Sequence, residues 1–124
     1  RRAGAFKTQD GSVVLGANDR EQLNKLNSIA RGRVMARLMA DGVDIPCPDG
    51  IMVGPDVTVG PDTRVLPGCI FSGSTSVGSG CVIGPNTVLI DTSVGSGCTL
   101  FSVHCKGASV RDGESLKPFT VLHA

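Results

Sequence analysis

The second half of the chain repeats a six-residue unit, and this spacing constrains the fold more than any other feature of the sequence. In VGSGCVIGPNTV an apolar residue followed by glycine appears at Val77 and again at Ile83. Apolar residues continue at this spacing over seven positions: Val53, Val59, Val65, Phe71, Val77, Ile83 and Leu89. A helix repeats every 3.6 residues and so does not explain a period of six, and a plain alternating strand gives no reason for the recurring glycine.

A period of six predicts a parallel β-helix, in which short strands and sharp corners wind the chain into a three-sided coil. Each lead residue then faces inward and stacks on the lead residue one coil away. Residues 51–124 fill roughly four coils, about 20 Å tall at strand spacing. A β-sandwich would instead show period-two alternation with irregular turns. Small or β-branched residues four positions after most leads are also predicted to face inward: Val57, Thr63, Cys69, Thr75, Cys81, Thr87, Ser93, Cys98 and Thr120.

Two segments depart from the six-residue spacing. LIDTS (89–93) is one residue short, and KGAS (106–109) is two residues short. Lys106 also falls at a lead position, where an unpaired charge would be costly to bury. We therefore expect Lys106 to point outward, or a neighbouring residue to take the lead position.

A single long helix is predicted before the repeat, over residues 18–42. Asn18 or Asp19 is suited to cap its start, and Gly42 to end it in a left-handed conformation. We expect the apolar stripe of this helix to pack on another element or another copy of the chain. The stripe consists of Leu23, Leu26, Ala30, Val34 and Leu38.

The segment before the helix is too short to bury a core by itself. We interpret residues 1–17 as the residual tail of a domain that is otherwise absent from the chain, with a strand over residues 12–15. The predicted organisation is therefore this tail, a linker helix over 18–42 and a β-helix over 51–124.

The composition argues against several classes of function. Net charge is +1 and the chain has no Trp or Tyr, so neither nucleic acid nor an anionic membrane is an expected partner. No apolar stretch approaches the roughly 20 residues of a membrane span. The five cysteines form no CxxC pair, and reduced, mostly buried thiols in a cytoplasmic protein fit this pattern.

Residues 16–45 (GANDREQLNKLNSIARGRVMARLMADGVDI), followed by the hexads, resemble one family in particular. This is the bacterial bifunctional enzyme with N-acetylglucosamine-1-phosphate uridyltransferase and glucosamine-1-phosphate acetyltransferase activities. Gly16-Ala17-Asn18-Asp19-Arg20 resembles its G-V-N-[DN]-R motif, with Ala in place of Val. The resemblance implies that a nucleotidyltransferase domain precedes the helix, and that the β-helix is left-handed and forms a homotrimer.

The resemblance also implies a reaction and a metal. The complete enzyme would join UTP and N-acetylglucosamine 1-phosphate and release pyrophosphate with Mg²⁺. Asn18 would then correspond to an Asn that helps to hold Mg²⁺, for which an amide oxygen is a suitable ligand. The alternative interpretation is that Asn18 only caps the helix. One ligand does not make a magnesium site, so no cofactor is expected in this chain alone.

The acetyltransferase residues of the family are not expected here. Residues 118–122 (PFTVL) resemble the family's P-F-x-x-L stretch, but His123 stands where the family has Arg. The family's later Lys, His, Tyr and Asn positions have no counterpart in this chain. We therefore assign no catalytic or cofactor-binding residue, and expect the chain alone to be inactive.

Two further functions stay open at this stage. One is a noncatalytic assembly module, because the sequence shows no convergent acid–base cluster. The other is a small hexapeptide acyltransferase with His104 as general base. We favour a structural role for His104, at a position that elsewhere holds a small inward residue. Asp56 and Asp62 fall at predicted corners, where solvation or turn capping is their expected role.

Overall fold

The computed structural model describes residues 16–123, which form one α-helix followed by short strands. The chain divides into two compact units, one ending at Ala30 and the other beginning at Arg31. The predicted strand over residues 12–15 lies outside the described residues. The elements are α1 (Ala17–Ala40), β1 (Met52–Val53), β2 (Thr58–Val59), β3 (Arg64–Val65), β4 (Ile70–Ser72), β5 (Ser76–Val77), β6 (Val82–Ile83), β7 (Val88–Ile90), β8 (Ser93–Val94), β9 (Thr99–Leu100), β10 (His104–Lys106), β11 (Ser109–Val110), β12 (Ser115–Leu116) and β13 (Val121–His123).

Every strand pairs in parallel with the strand three places along the chain. This places β1, β4, β7, β10 and β13 side by side in one sheet, while β2, β5, β8 and β11 form a second sheet and β3, β6, β9 and β12 a third. Three strands therefore make one coil, and the described strands make four coils and one strand of a fifth. The predicted hexapeptide β-helix of about four coils, preceded by one helix, is confirmed.

The pairing register shows where the coils shorten. Met52 pairs with Ile70 and Ile70 with Val88, so each of these coils contains three complete hexads. Val88 pairs with His104, two positions earlier than three hexads would reach. The prediction that KGAS alone is two residues short is wrong. The unit just before β10 and the unit that begins in β10 are each one residue short. Cys105 rather than Lys106 is buried at the lead position, and Lys106 is exposed as expected.

The lead residues fill the interior of the coils. Phe71, Ile83, Leu89 and Leu100 are at most 1% exposed, and the remaining leads from Val53 to Val110 are also buried. The residue four positions after a lead is buried in the six-residue units led by Val53 to Ile83 and by Val94, as predicted, whereas Thr120 is only partly buried. In the shortened unit LIDTS the inward residue is instead the third after the lead, so Thr92 is buried and Ser93 is exposed. The prediction for Ser93 was therefore wrong, because it carried the six-residue spacing into a shortened unit.

The buried threonines join consecutive coils through their hydroxyl groups. Thr63 donates to the carbonyl of Gly78 at 2.7 Å and accepts from the backbone N–H of Cys81 at 3.2 Å. Thr75 donates to the carbonyl of Ser72 at 2.7 Å and accepts from the N–H of Thr92 at 3.3 Å. These bonds satisfy backbone groups that would otherwise be buried without a partner.

The corners close through residues in the left-handed backbone conformation. At the corner after β4, Gly73 has φ of +67°, and the carboxylate of Asp91 from the next coil lies where its side chain would be. Asp91 accepts a hydrogen bond from the backbone N–H of Ser74 at 3.0 Å. Within residues 16–123, the non-glycine residues with positive φ are Asp62, Asn86, Asp91, Ser102 and Phe119.

The C-terminal end of α1 caps the first coil. The N–H groups of Gly42 and Val43 donate to the carbonyls of Met39 and Leu38, so Gly42 ends the helix as predicted. Met35 and Leu38 are buried in the core. Arg37 donates to the carbonyls of Pro55 and Val57, at 3.2 and 2.9 Å. The start of α1 differs from the prediction, because Gly16 precedes the first helical residue and Asn18 lies within the first turn.

The apolar stripe of α1 is buried only in its second half. Val34 packs against the core beside Leu38, whereas Leu23 and Leu26 are 45% and 64% exposed. Within residues 16–123, the expected packing on another element is therefore confirmed for the second half of the stripe alone. Packing of the first half on another copy of the chain stays a prediction.

Residues before the first coil extend one of the sheets. Asp44 forms a parallel bridge with Arg64 of β3, and its carboxylate accepts from the Arg64 Nε at 3.0 Å. The backbone of Asp44 also donates to Thr63 and accepts from Val65. Backbone groups at the edge of the first coil are thereby paired, which removes part of an exposed strand edge.

We predict that a charge at an inward lead position destabilises the fold and that a charge at a corner does not. Val77 is 5% exposed and Ser79 is exposed at a corner. Val77→Asp should lower the free energy of unfolding by several kcal/mol through a buried charge, and Ser79→Asp should leave it nearly unchanged. Equal urea midpoints for the two variants would contradict the inward assignment.

A second prediction separates steric overlap from backbone strain at glycine. Gly73 and Gly80 both have φ of +67°, but a Cβ atom would overlap Asp91 at Gly73 and meet nothing within 4 Å at Gly80. Gly80→Ala should cost about 1 kcal/mol for the left-handed conformation, and Gly73→Ala clearly more. Urea unfolding of the pair tests this, and a cost at Gly80 equal to or above that at Gly73 would refute it.

Candidate functional site

Asn18, the candidate magnesium ligand, lies exposed in the first turn of α1. Its amide oxygen suits Mg²⁺, but the positive end of a helix dipole does not attract a cation. Within residues 16–123, no three His, Cys, Asp or Glu side chains come together in a way that could hold a metal ion. A magnesium site at Asn18 therefore requires carboxylate ligands from outside the described residues.

The exposed surface of α1 near Asn18 has one shallow feature. A shallow depression of about 500 Å³ runs along the helix between Glu21, Asn24, Lys25, Ser28 and Ile29. Lys25 and Glu21 form an exposed ion pair at 3.7 Å, an arrangement typical of a solvated helix surface. This ion pair does not bring catalytic groups together.

His104 points outward from β10 and is exposed, which corrects the prediction of an inward position. The unit that begins at Leu100 is one residue short, so Val103 takes the inward place and is 1% exposed. Cys105, the next residue after His104, is buried on the opposite side of the strand. His104 and Cys105 therefore cannot act together as a nucleophile and base.

A groove of about 250 Å³ lies beside His104. Val88 and Val121 flank His104 on the neighbouring strands. The rest of the lining is formed by Asn86, Ser102, Val103, Phe119 and Thr120. One imidazole among mainly apolar neighbours has no second acid or base beside it, so the groove is more suited to contact than to proton transfer.

Phe119 is an unusual feature of this groove that the sequence analysis did not identify. It has φ of +68° and its side chain is 85% exposed, although bulky residues rarely take the left-handed conformation. The equivalent corners of the earlier coils use Gly68, Asn86 and Ser102 in this conformation. Alignment of Pro118-Phe119 with Pro67-Gly68 in the sequence could have shown that Phe119 occupies a corner position that an earlier coil gives to glycine.

The two aspartates assigned to corners lie there and are exposed. Asp62 has φ of +64°, and its backbone N–H donates to the carbonyl of Gly42 at 2.9 Å. Asp56 lies in the turn between β1 and β2. Neither belongs to a cluster of possible metal ligands in the part of the chain that the structure describes, and turn formation accounts for both.

The cysteines are free thiols, and four of them are buried while Cys47 is exposed. Burial raises the pKa of the Cys69, Cys98 and Cys105 thiols above the ordinary value. Such thiols stay protonated near neutral pH and are poor nucleophiles. The expectation that the cysteines are mostly buried is confirmed.

Within residues 16–123, no helix combines the length and the apolar character that a membrane span requires.

Comparison with known proteins gives one consistent group of relatives. Residues 56–91 match the family model described as bacterial transferase hexapeptide (six repeats). The chain is 37% identical over 116 residues to the bifunctional protein GlmU of Thermoanaerobacter pseudethanolicus, a match that covers 94% of this chain and 25% of that protein. It is 38% identical over 118 residues to the protein of the same name from Mycolicibacterium smegmatis, covering 95% of this chain and 24% of that protein.

A third relative of that name, from Fervidobacterium nodosum, is 33% identical over 114 residues. The chain thus spans about a quarter of the length of the curated relatives it matches. The matches extend well beyond the repeat model, because they cover 92–95% of the chain.

We predict that thiol reactivity and stability follow burial. In the native protein one thiol, Cys47, should react quickly with Ellman's reagent, and all five should react in denaturant. The raised pKa of the buried thiols stabilises the fold below the ordinary thiol pKa of about 8.5, and this contribution is lost as pH rises further. Fast native reaction of Cys98, or stability that increases above pH 9, would contradict this account.

Proposed function

The chain belongs to the family of the bifunctional proteins GlmU, of which it matches one segment, and from this premise we propose that it serves as the linker helix and assembly β-helix of a sugar-phosphate nucleotidyltransferase. The observation that carries the proposal is the order of the motif at Gly16–Arg20, α1 and the hexapeptide coils within one continuous match. The interior of the described coils is filled by side chains, so this β-helix offers external faces rather than an internal site.

By the family resemblance, the reaction of the complete enzyme joins UTP and N-acetylglucosamine 1-phosphate and releases pyrophosphate. Such transfer depends on positioning and on neutralising phosphate charge. Asn18 would contribute one amide oxygen toward Mg²⁺, with carboxylates supplied from outside the described residues. We propose further that the chain assembles as a homotrimer in the cytoplasm, with residues 1–17 belonging to the nucleotidyltransferase part.

A second candidate function, acyl transfer with His104 as general base, is favoured by one observation. His104 is exposed beside a groove of about 250 Å³, and imidazole is suited to proton transfer near neutral pH. Within residues 16–123 no hydrogen bond orients the His104 imidazole, and Ser102 instead donates its hydroxyl to the carbonyl of Pro85 at 3.3 Å. We therefore rank this function below assembly.

The proposal predicts that the purified chain neither consumes UTP nor transfers acetyl groups from acetyl-coenzyme A to glucosamine 1-phosphate. It should also bind Mg²⁺ too weakly for calorimetric detection, since a single amide oxygen does not hold the ion. Pyrophosphate release and free-thiol formation measure the two activities. Acetyl transfer that disappears in His104→Ala but persists in His123→Ala would reverse our ranking.

A further inference from the structure

Within residues 16–123, three aspartates are followed directly by glycine: Asp41-Gly42, Asp49-Gly50 and Asp112-Gly113. At such a pair the backbone nitrogen of the glycine can attack the side chain of the aspartate, because glycine has no side chain that hinders the approach. The attack needs a glycine N–H and a carboxyl group that are not held by other partners. The hydrogen bonds at each pair therefore decide which of the three can react.

The Asp41 pair is held at the end of α1. The N–H of Gly42 donates to the carbonyl of Met39 at 3.1 Å, and the carbonyl of Gly42 accepts from the N–H of Asp62 at 2.9 Å. A Cβ atom on Gly42 would lie 3.2 Å from Pro61, so the backbone at this point is also packed against the first coil. The nitrogen of Gly42 cannot turn toward the carboxyl group of Asp41 without loss of these contacts.

The Asp112 pair is held at the corner after β11. The N–H of Gly113 donates to the carbonyl of Ser96 at 2.8 Å, and the carboxylate of Asp112 accepts from the N–H of Ser96 at 2.8 Å. Both groups that would have to meet are thus bound to the preceding coil. Reaction at this pair requires both bonds to open first.

The Asp49 pair lies in a tight turn in which neither group is held. The N–H of Ile51 donates to the carbonyl of Pro48 at 3.3 Å, and Gly50 has φ of +77°, as at the third residue of a type II turn. The bond that closes the turn uses the N–H of the fourth residue, so that of Gly50 has no partner inside it. Within residues 16–123, the N–H of Gly50 and the carboxylate of Asp49 form no hydrogen bond or ion pair, and both residues are exposed.

The connection around this turn can change its backbone without disturbing the core. Residues 46–50 are exposed, whereas Ile45 and Ile51 at the two ends are 7% and 3% exposed. Exposed connections tolerate added length better than the elements that they join. One additional backbone atom within residues 46–50 is therefore compatible with the fold.

We propose that Asp49-Gly50 is a modification site, at which aspartate converts to isoaspartate in the folded protein. The nitrogen of Gly50 bonds to Cγ of Asp49, and the hydroxyl of the carboxyl group leaves with the amide proton as water, which closes a five-membered succinimide ring. Water then cleaves the ring at the former main-chain carbonyl carbon, and the chain afterwards runs through Cγ. The water released in the first step is taken up in the second, so the mass of the protein is unchanged. The inference does not rest on the proposed assembly function.

Peptide mapping of the folded chain after prolonged incubation at neutral pH tests the assignment. An endoproteinase that cleaves before aspartate but not before isoaspartate detects the change, and electron-transfer fragmentation gives its position. Isoaspartate should accumulate at position 49 at least about tenfold faster than at positions 41 and 112, where hydrogen bonds must open first. In denaturant the three positions should react at similar rates. Asp10-Gly11 lies outside the described residues and is not part of the comparison.

Two glycine variants form a matched pair for the mechanism. Gly50 and Gly113 have φ of +77° and +72°, and a Cβ atom would meet nothing within 4 Å at Gly50 or at Gly113. Gly50→Ala should slow the reaction at Asp49 by a similar factor, because a methyl group hinders the approach of the nitrogen. Gly113→Ala, which carries the same backbone cost at another corner, should leave the reaction at Asp49 unchanged. Circular dichroism should show the wild-type fold for both variants.

The outcomes are separable even if one variant does not fold, because the comparison of positions uses the wild-type chain alone. Equal accumulation at the three positions of the folded protein would overturn the proposal. So would isoaspartate that forms at position 49 in denaturant but not in the folded chain. A folded Gly50→Ala variant that reacts as fast as the wild type would show that the nitrogen of Gly50 is not the attacking group.

Discussion

The structure depends on the stacking of equivalent residues one coil apart at strand spacing. Backbone pairing in parallel register fixes Val59 over Val77 and Val77 over Val94, so the environment of each inward residue is made by its counterparts. An apolar lead residue gains burial from both neighbours. A Thr or Cys at the second inward position fits the narrow interior and donates to a carbonyl of its own or the next coil, as Thr63 and Cys81 do.

This stacking explains how the chain tolerates units that are one residue short. The pairing register is kept, and the inward residue moves from the fourth position after a lead to the third. Thr92 and Val103 face inward for this reason, and His104 is displaced to the surface. A single missing residue thus changes which chemistry the outer face presents, and this links the regularity of the repeat to candidate function.

The repeat itself was predictable from the sequence, whereas local exceptions to it were not. Val53 to Leu89 keep a constant spacing, and constant spacing determines which residues are inside. The shortened units at Leu89 and Leu100 have two possible alignments, and only pairing with the neighbouring coil selects one. Which half of the apolar helix stripe is buried depends on the position of the first coil, and the left-handed conformation of Phe119 depends on the corner that it occupies. Neither feature can be predicted from a local sequence pattern. For Asn18 the sequence supplied a resemblance, and its ligand role remains a proposal.

In this account, the proposed assembly function follows from the outside of a spiral whose interior is filled by side chains. The most direct test of the spiral is methyl–methyl nuclear Overhauser contact in a sample with labelled valines. The account predicts contacts between Val59 and Val77 and between Val77 and Val94, which are distant in sequence but adjacent in the second sheet. Absence of both contacts in a folded sample, with Val77 in contact with other valines instead, would contradict it.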